Sequence, residues 1–297
     1  ILEPYKNKFK FYYKILYELN DDMWILQDDI RKEFNVEKCI ETINKNDARF
    51  RVKNIINKLC NSELQEQKGY PQKNAVFIGH LGLGDHLCLS GAVRYLSLDW
   101  DVMYVLCKAK NIKNLERLYE DAPNIQCVSV NNDFIFPELE TLKFDKIYKS
   151  GLYCEAHHEF VNLPNCFYKD LGLDSEIQSK YFWVSPPKFS VKITLPYIFV
   201  HQEASSKTLS LVTWDINERL TVDPNTNLYP KEHPWYRIAS ACVGHLIPDY
   251  SELLIEAEEV HLVDSSFYCL ARYLPLKASV KICYERDTEK PSEIYKF

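Results

Sequence analysis

The residue best suited to take part in a reaction is Asp85, which ends a glycine-rich turn. The surrounding sequence is FIGHLGLGDHLCLSGAVRYL, in which an apolar run precedes closely spaced glycines and an amphipathic segment. This pattern predicts a buried strand, a turn and a helix. A turn that binds phosphate at a helix start avoids negative charge. The carboxylate of Asp85 therefore indicates a general base, which takes a proton from a reacting group.

The same turn contains further candidates. His80 and His86 flank Asp85 and are alternative bases, because imidazole titrates near neutral pH. Gly82 and Gly84 are expected to bring the backbone close to a substrate, since glycine has no side chain. Structural alternatives stay open for the candidate bases. His80 and His86 would then be ordinary histidines, and the Asp85 carboxylate would interact with the dipole of its helix.

Strands and helices alternate from residue 74 onwards, which predicts parallel βαβ units. The first series has expected strands at 75–78, 102–107, 125–130 and 146–149, and expected helices at 86–98, 112–120 and 166–171. The second has expected strands at 197–200, 260–263 and 279–283, and expected helices at 235–243 and 250–257. We therefore expect an α/β protein with two Rossmann-like domains, 71–185 and 186–297, that face a cleft, with the proline-containing stretch 183–195 as the linker.

Residues 1–70 differ from the rest and predict a helical N-terminal region. They contain one glycine and one proline, and Phe11, Ile15 and Leu19 recur at helical spacing. Asn20 and Asp21 are candidate N-caps of a second helix. We expect two to four helices that pack on the following domain; the alternative is a docking region of a larger protein.

Composition excludes several classes of protein. The 297 residues carry a net charge of −6, which gives no reason to expect a nucleic-acid partner. No apolar run approaches the roughly 20 residues of a membrane span, and we recognise no secretory signal. The ten cysteines form no Cys-x-x-Cys pair, which predicts free thiols in a reducing compartment, the cytoplasm, and no zinc site. The chain begins with Ile, so other domains of a longer polypeptide are possible partners.

Three motifs in order give the chain a family resemblance. Gly84-Asp85 follows the first strand, ASSK at 204–207 follows the first strand of the second domain, and DSSFYC occupies 264–269. Over about residues 74–284 the chain resembles GT-B glycosyltransferases, and more narrowly glycosyltransferase family 9, the heptosyltransferase-like enzymes. That family has a Gly-Asp pair and an Asp-(Ser/Thr)-Gly-x-x-His loop; here Ser266 replaces the glycine and Cys269 the histidine.

The resemblance implies transfer of a sugar from a nucleoside-diphosphate sugar to a glycan or another hydroxyl acceptor. It implies that Asp85 is the base, that 71–185 is the acceptor domain and that 186–297 is the donor domain. The leaving diphosphate needs hydrogen-bond donors and positive charge. The donor-site candidates are Ser205, Ser206, Lys207, Asp264, Ser265 and Ser266. A solvated loop and simple capping of a helix are the structural alternatives for these residues.

Two further expectations concern the donor and the mechanism. No Asp-x-Asp pair in a loop is evident, so we expect no metal, no cofactor and an inverting displacement. Glu256 is a weak candidate for the ribose of the nucleotide.

Three other functions stay open at this stage. A nicotinamide-dependent oxidoreductase is one, but the glycines of GHLGLG fall at its first, fourth and sixth positions. Cys107 and Lys108 also occupy the place where such an enzyme has an acidic residue for the ribose. A nucleotide-sugar epimerase and a non-catalytic scaffold module of a larger protein are the others.

Overall fold

The computed structural model describes residues 6–63, 71–151, 163–189, 191–205, 208–285 and 293–296. It divides into two compact units. One unit comprises Ile1–Leu81 and Leu89–Ser185, and the other comprises Gly82–Cys88 and Pro186–Phe297. None of the helices in the described segments is long and apolar enough to span a membrane.

The first unit contains two long helices and a parallel sheet. Its helices are α1 (Lys6–Lys32), α2 (Val36–Leu59), α3 (Leu83–Ser97, whose first residues belong to the second unit), α4 (Ile112–Leu118), α5 (Leu163–Asp170) and α6 (Glu176–Lys180). Its strands are β1 (Asn74–Ile78), β2 (Val102–Lys108), β3 (Ile125–Val130) and β4 (Lys146–Lys149). The four strands are parallel in the order β3-β2-β1-β4.

The second unit contains a five-stranded sheet and shorter helices. Its strands are β5 (Tyr197–His201), β6 (Leu220–Val222), β7 (Glu259–Val263), β8 (Val280–Tyr284) and β9 (Glu293–Lys296). Its helices are α7 (Tyr236–Ala241), α8 (Ser251–Glu256) and α9 (Ser266–Ala271). The order is β6-β5-β7-β8-β9; among these five described strands β9 alone pairs antiparallel.

The strands expected from the sequence are confirmed. The clearest are β1 and β5, which are apolar runs that a parallel sheet buries on both faces. Val76 and Phe77 in β1 are fully buried, as are Ile198 and Phe199 in β5. The expected helices are also found, with ends that differ by a few residues. The three-residue strand β6, the terminal strand β9 and the helix α6 were not foreseen.

The N-terminal region forms two helices, as expected, but the predicted caps are wrong. Asn20 and Asp21 lie inside α1, which continues because Ile15 and Leu19 bury one face of it. The cap of α2 is Asn35, whose Oδ1 accepts a hydrogen bond from the Lys38 backbone N–H at 3.0 Å. Asn and Asp cost little inside a helix whose packing is strong.

A buried arginine joins α1 to the rest of the first unit. Arg94 on α3 is 1% exposed and donates two hydrogen bonds to Asp121, at 2.8 and 3.0 Å. The same guanidinium donates to Tyr12 of α1 at 3.3 Å and to the Leu118 carbonyl at 2.8 Å. These partners satisfy a charge that burial alone would penalise.

Thiols in the described segments agree with the expectation of free cysteines. Nine cysteines are described and none of these nine forms a disulfide. Burial raises the pKa of the Cys107 thiol to about 11, which keeps it protonated at neutral pH. Cys154 lies outside the described residues.

Candidate functional site

The strand order of the second unit marks one position for a ligand. The chain passes from β5 to β6 on one side and then to β7 on the other side of β5. Ligands of open α/β sheets bind at the carboxyl ends of the strands where the order reverses in this way. That position, which we call the second switch point, consists of the carboxyl ends of β5 and β7, with His201 and Ser265.

His201 and Ser265 are in contact across this switch point. His201 is the last residue of β5, and its Nδ1 lies 3.1 Å from Ser265 Oγ in the loop after β7. Parallel pairing places His201 beside Leu262, which brings the two strand ends together. Phe267 packs against the imidazole, with ring centroids 4.3 Å apart. The serine hydroxyl is thus held by a ring that is itself fixed by packing.

Burial determines the charge of His201. The side chain is 4% exposed, and desolvation lowers its pKa from 6.5 to about 3. Burial disfavours a charged imidazolium, so the ring is neutral from about pH 5 upwards. A neutral imidazole has one nitrogen that donates and one that accepts. His201 therefore acts on its surroundings through hydrogen bonding rather than through charge.

Ser265 is the N-cap residue of α9, yet its side chain makes no capping hydrogen bond. Its backbone is extended, and its hydroxyl contacts His201 instead. The structural alternative of capping by this serine side chain is therefore wrong. The backbone N–H of Asp264 donates to the Tyr284 carbonyl at 2.8 Å, which ties the start of the loop to β8.

Asp85 lies in the first turn of α3, and the first turn of α3 packs on the first turn of α9. A Cβ added to Gly84 would lie 3.1 Å from Cys269 Sγ and 3.5 Å from Ser266 Cα. A Cβ on Gly82 would lie 2.6 Å from Asp85 Oδ2. Gly84 thus permits the close approach of two backbones, and Gly82 leaves room for the Asp85 carboxylate. Asp85 and the DSS loop consequently belong to one compact unit.

Cys269, which stands where the resembled family has histidine, contacts a second thiol. A hydrogen bond with Cys88 holds the pKa of the Cys269 thiol well above its usual range, and burial adds to the effect. The negative charges of Asp85 and Asp264 act in the same direction. This thiol is neutral and packs between α3 and α9, and it cannot donate or accept protons as a histidine would.

The two candidate histidines are placed differently. His86 is 1% exposed, and its burial does not fit a base that must reach the hydroxyl of an acceptor. His80 follows β1 in the first unit and is half-buried. Its ring packs 5.0 Å from the ring of Phe167. Neither histidine has a stronger claim than Asp85 to the role of base.

The remaining donor-site candidates fall into two groups. Asp264 and Ser266 are half-buried beside Ser265, and Ser205 is exposed in the loop after β5. Ser206 and Lys207 lie outside the described residues, so their roles stay predictions.

Glu256 lies at the amino ends of the parallel strands, whereas this site lies at their carboxyl ends, so it does not fit the ribose. It ends α8, before β7 begins, whereas Ser265 follows the end of β7. A strand of this length separates the two by about 16 Å. Both oxygens of Glu256 accept hydrogen bonds from Lys277, at 2.6 and 2.8 Å, in an exposed ion pair.

No group of three or more His, Cys, Asp or Glu side chains in the described segments could hold a metal ion. Two aspartates of α1 that have an aspartate neighbour in the sequence, Asp22 and Asp29, form surface ion pairs. Asp22 contacts Lys45 at 2.6 Å, and Asp29 contacts Lys38 at 2.8 Å.

Sequence reasoning missed His201. The signal was present, because a polar residue ends an otherwise apolar strand in PYIFVHQE. Such a residue lies at the carboxyl end of a parallel strand, where ligands bind. Only the strand order shows that this end adjoins the DSS loop.

No protein-family model and no curated protein matches the chain. Among solved structures it is similar to TibC of enterotoxigenic E. coli H10407, described as a bacterial iron-containing dodecameric glycosyltransferase. The identity is 17%, the TM-score is 0.47, and 73% of this chain and 62% of that chain are covered. A second TibC structure is described as a dodecameric iron-containing heptosyltransferase in complex with ADP-D-beta-D-heptose. Its identity is 16% and its TM-score is 0.44, and the alignment covers 74% of this chain and 61% of that chain.

The third structure is a family 9 glycosyl transferase from Veillonella parvula DSM 2008. Its identity is 10% and its TM-score is 0.42, and the alignment covers 72% of this chain and 86% of that one. All three of these structures are described as glycosyltransferases. The chain spans about three fifths of the length of TibC.

Proposed function

We propose that this chain is a glycosyltransferase of the GT-B type, with two Rossmann-like domains. It moves a sugar from a nucleoside-diphosphate sugar to a hydroxyl of a glycan or another acceptor. The observation that supports this most directly is the packing of the Gly84-Asp85 turn on α9, next to Ser265 at the second switch point. A carboxylate and a hydroxyl in contact with His201 thereby belong to one compact unit.

In this proposal the DSS loop binds the donor. The diphosphate is an anion that accepts hydrogen bonds, and the hydroxyls of Ser265 and Ser266 are donors. Asp264 starts the loop and is held by its backbone bond to Tyr284. Ser205, Ser206 and Lys207 remain candidates for the diphosphate, with the Lys207 ammonium as counter-charge. Transfer does not require a metal in this scheme, because hydroxyls and the ammonium stabilise the leaving group.

Asp85 acts as the general base. Its carboxylate takes the proton of the acceptor hydroxyl, and the oxygen forms a bond to the anomeric carbon. The bond from that carbon to the diphosphate breaks, and the nucleoside diphosphate leaves. Because the acceptor attacks opposite the leaving group, one such displacement inverts the anomeric configuration. A carboxylate in the first turn also favours its helix dipole, so the test must separate these roles.

Two measurements test the proposal. The first is a thermal-shift screen against UDP-, GDP-, ADP- and dTDP-sugars. At least one of these donors should raise the melting temperature, because a ligand that binds the native state stabilises it. The variant Asp85→Asn should then bind that donor normally but transfer sugar about 10²–10⁴-fold more slowly, the usual contribution of a general base.

The matched control is His80→Asn, which should keep the wild-type rate of transfer. Product analysis separates the epimerase alternative, which releases an isomerised sugar nucleotide instead of free nucleoside diphosphate. If folded Asp85→Asn transfers sugar at the wild-type rate, the assignment of the base is wrong. If no sugar nucleotide binds the wild type, the function itself is wrong.

A further inference from the structure

Either His201 or Ser265 must donate the hydrogen bond between them, and the proposed donor site requires the donor to be His201. A serine hydroxyl has one proton to donate and two lone pairs to accept with. If His201 Nδ1 accepted that proton, Ser265 would have no proton left for a ligand. If Nδ1 carries the ring proton and donates to Ser265 Oγ, the hydroxyl proton stays available. Phosphate oxygens only accept, so an anion requires the second arrangement.

We infer that His201 is a positioning residue: its Nδ1–H donates to Ser265 Oγ and directs the serine proton at a diphosphate oxygen of the donor. This inference rests on the proposed function for the identity of the ligand. It assigns a role to a residue outside the three motifs quoted from the sequence and depends on contacts of this chain.

Four observations within one unit support the assignment. The two side-chain atoms are 3.1 Å apart, which is hydrogen-bond distance. Ser265 makes no capping bond with its side chain, so its hydroxyl is not used by the helix. Phe267 packs on the imidazole and fixes its plane. The ring is only 4% exposed, and it therefore acts through Ser265.

The neutral state of the ring is consistent with this role. Burial keeps the pKa of His201 near 3, so the imidazole is neutral at neutral pH. Its single N–H proton is then on either Nδ1 or Nε2. A proton on Nδ1 gives Ser265 a donor and leaves Nε2 as the acceptor nitrogen.

The first test reads the tautomer without any ligand. Protein labelled with ¹⁵N in histidine is examined by long-range ¹H–¹⁵N correlation, in which the two neutral tautomers give different patterns. The chain has eight histidines, and the His201 signals are those that disappear in His201→Asn. We expect a neutral ring with its proton on Nδ1. A proton on Nε2 would overturn the inference.

The second test measures affinity for UDP, GDP, ADP and dTDP, each titrated separately by calorimetry. Ser265→Ala should weaken the best-bound nucleotide about tenfold or more, the value of a hydrogen bond to a charged group. His201→Leu should weaken it about three- to tenfold, and the double variant should be no weaker than Ser265→Ala alone, because coupled residues are not additive.

His201→Asn is the matched rescue variant. Its side-chain amide can place an N–H near the position of Nδ1, so its affinity should stay within about threefold of wild type. If His201→Leu and Ser265→Ala add in full, or if His201→Leu binds like wild type, His201 does not act through Ser265. If no nucleotide binds the wild type, the proposed function fails, while the tautomer experiment still decides whether His201 directs the hydroxyl.

Discussion

Each of the two sheets has a histidine at its switch point, and the two histidines differ. In the first sheet the order reverses between β1 and β4, with His80 after β1 and Gly151 after β4. In the second it reverses between β5 and β7, with His201 and Ser265. A phenylalanine ring packs on each histidine, at 5.0 Å from His80 and 4.3 Å from His201.

The difference lies in what holds each ring. His80 is half-buried beside Gly151, which has a φ of +74° and leaves the space that His80 fills. His201 is nearly fully buried and contacts a serine hydroxyl. The same topological position therefore gives a half-buried ring against a glycine in one sheet and a nearly fully buried ring against a serine hydroxyl in the other. Preorganised donors are what binding of an anionic leaving group requires.

Buried charge in the first unit serves another purpose. Arg94 and Asp121 lie away from the carboxyl ends of the strands, on α3 and after α4. They join α1, α3 and the turn after α4 through hydrogen bonds of the Arg94 guanidinium. In the first unit polar burial joins helices, whereas in the second it fixes the serine of the proposed donor site.

The largest effect is expected from breaking the buried pair of the first unit. Asp121→Asn leaves the Arg94 guanidinium buried without its counter-charge and should lower the free energy of unfolding by about 3–5 kcal/mol. Urea unfolding followed by tryptophan fluorescence measures this, since Trp183 packs on Phe11. The control is the double variant Arg94→Met with Asp121→Leu, which should lose less. A loss below about 1 kcal/mol for Asp121→Asn would show that the pair does not stabilise the unit.

The next effect compares two glycines of the same helix, α3. A Cβ on Gly91 would lie 2.7 Å from the Ile177 carbonyl and 2.8 Å from the Gln178 carbonyl, and backbone cannot move aside easily. Gly91→Ala should therefore cost about 1–2 kcal/mol, after the gain in helix propensity is counted. Gly84→Ala meets a thiol at 3.1 Å, which can shift, and should stay within about 1 kcal/mol of wild type.

The glycine pair also separates stability from function. Gly84→Ala displaces the Cys269 thiol next to Asp85, so we expect sugar transfer to fall while the melting temperature changes little. Gly91→Ala should lower the melting temperature and leave the rate of the folded fraction unchanged. Equal losses of stability in the two variants would contradict the difference between the units.

The smallest effect is the pH dependence that His201 contributes. Its pKa is lowered from 6.5 to about 3 by burial, so between these values the unfolded chain binds a proton that the native ring does not. The free energy of unfolding should therefore fall as the pH falls below 6.5, by about 1 kcal/mol at about pH 5.5. His201→Asn removes this titration, and its unfolding free energy should change less over the same range. Parallel pH curves for the two proteins would show that His201 is not buried as a neutral ring.

Much of the fold could be predicted because local pattern decides it. The apolar runs at β1 and β5 are bounded by polar residues and turns, and both are buried on both faces. The strand β6 was missed because three residues are too few to show a pattern. The caps at Asn20 and Asp21 were wrong because packing of one face of α1 outweighed the preference of these residues for caps.

The candidate site was predicted only in part. The types and order of residues marked Asp85 and the DSS loop as candidates, since carboxylates and hydroxyls have recognisable chemistry. The structure places both in one unit, and their roles stay predictions. Glu256 was misplaced because a preceding strand and a following loop lie at opposite edges of a sheet. The Cys88–Cys269 contact could not be foreseen, because it joins residues on two helices that are distant in sequence.

The sequence by itself determined where the strands and long helices lie and which residues could act as acid, base or donor. Tertiary structure alone decided which of these residues meet. His201 and Ser265 are 64 residues apart, and they touch because β5 and β7 pair directly while β6 lies on the other side. Parallel pairing is set by contacts distant in sequence, through connections whose length does not specify the neighbour. The physical reason is thus that local propensity forms the elements, whereas burial of whole strands selects their order.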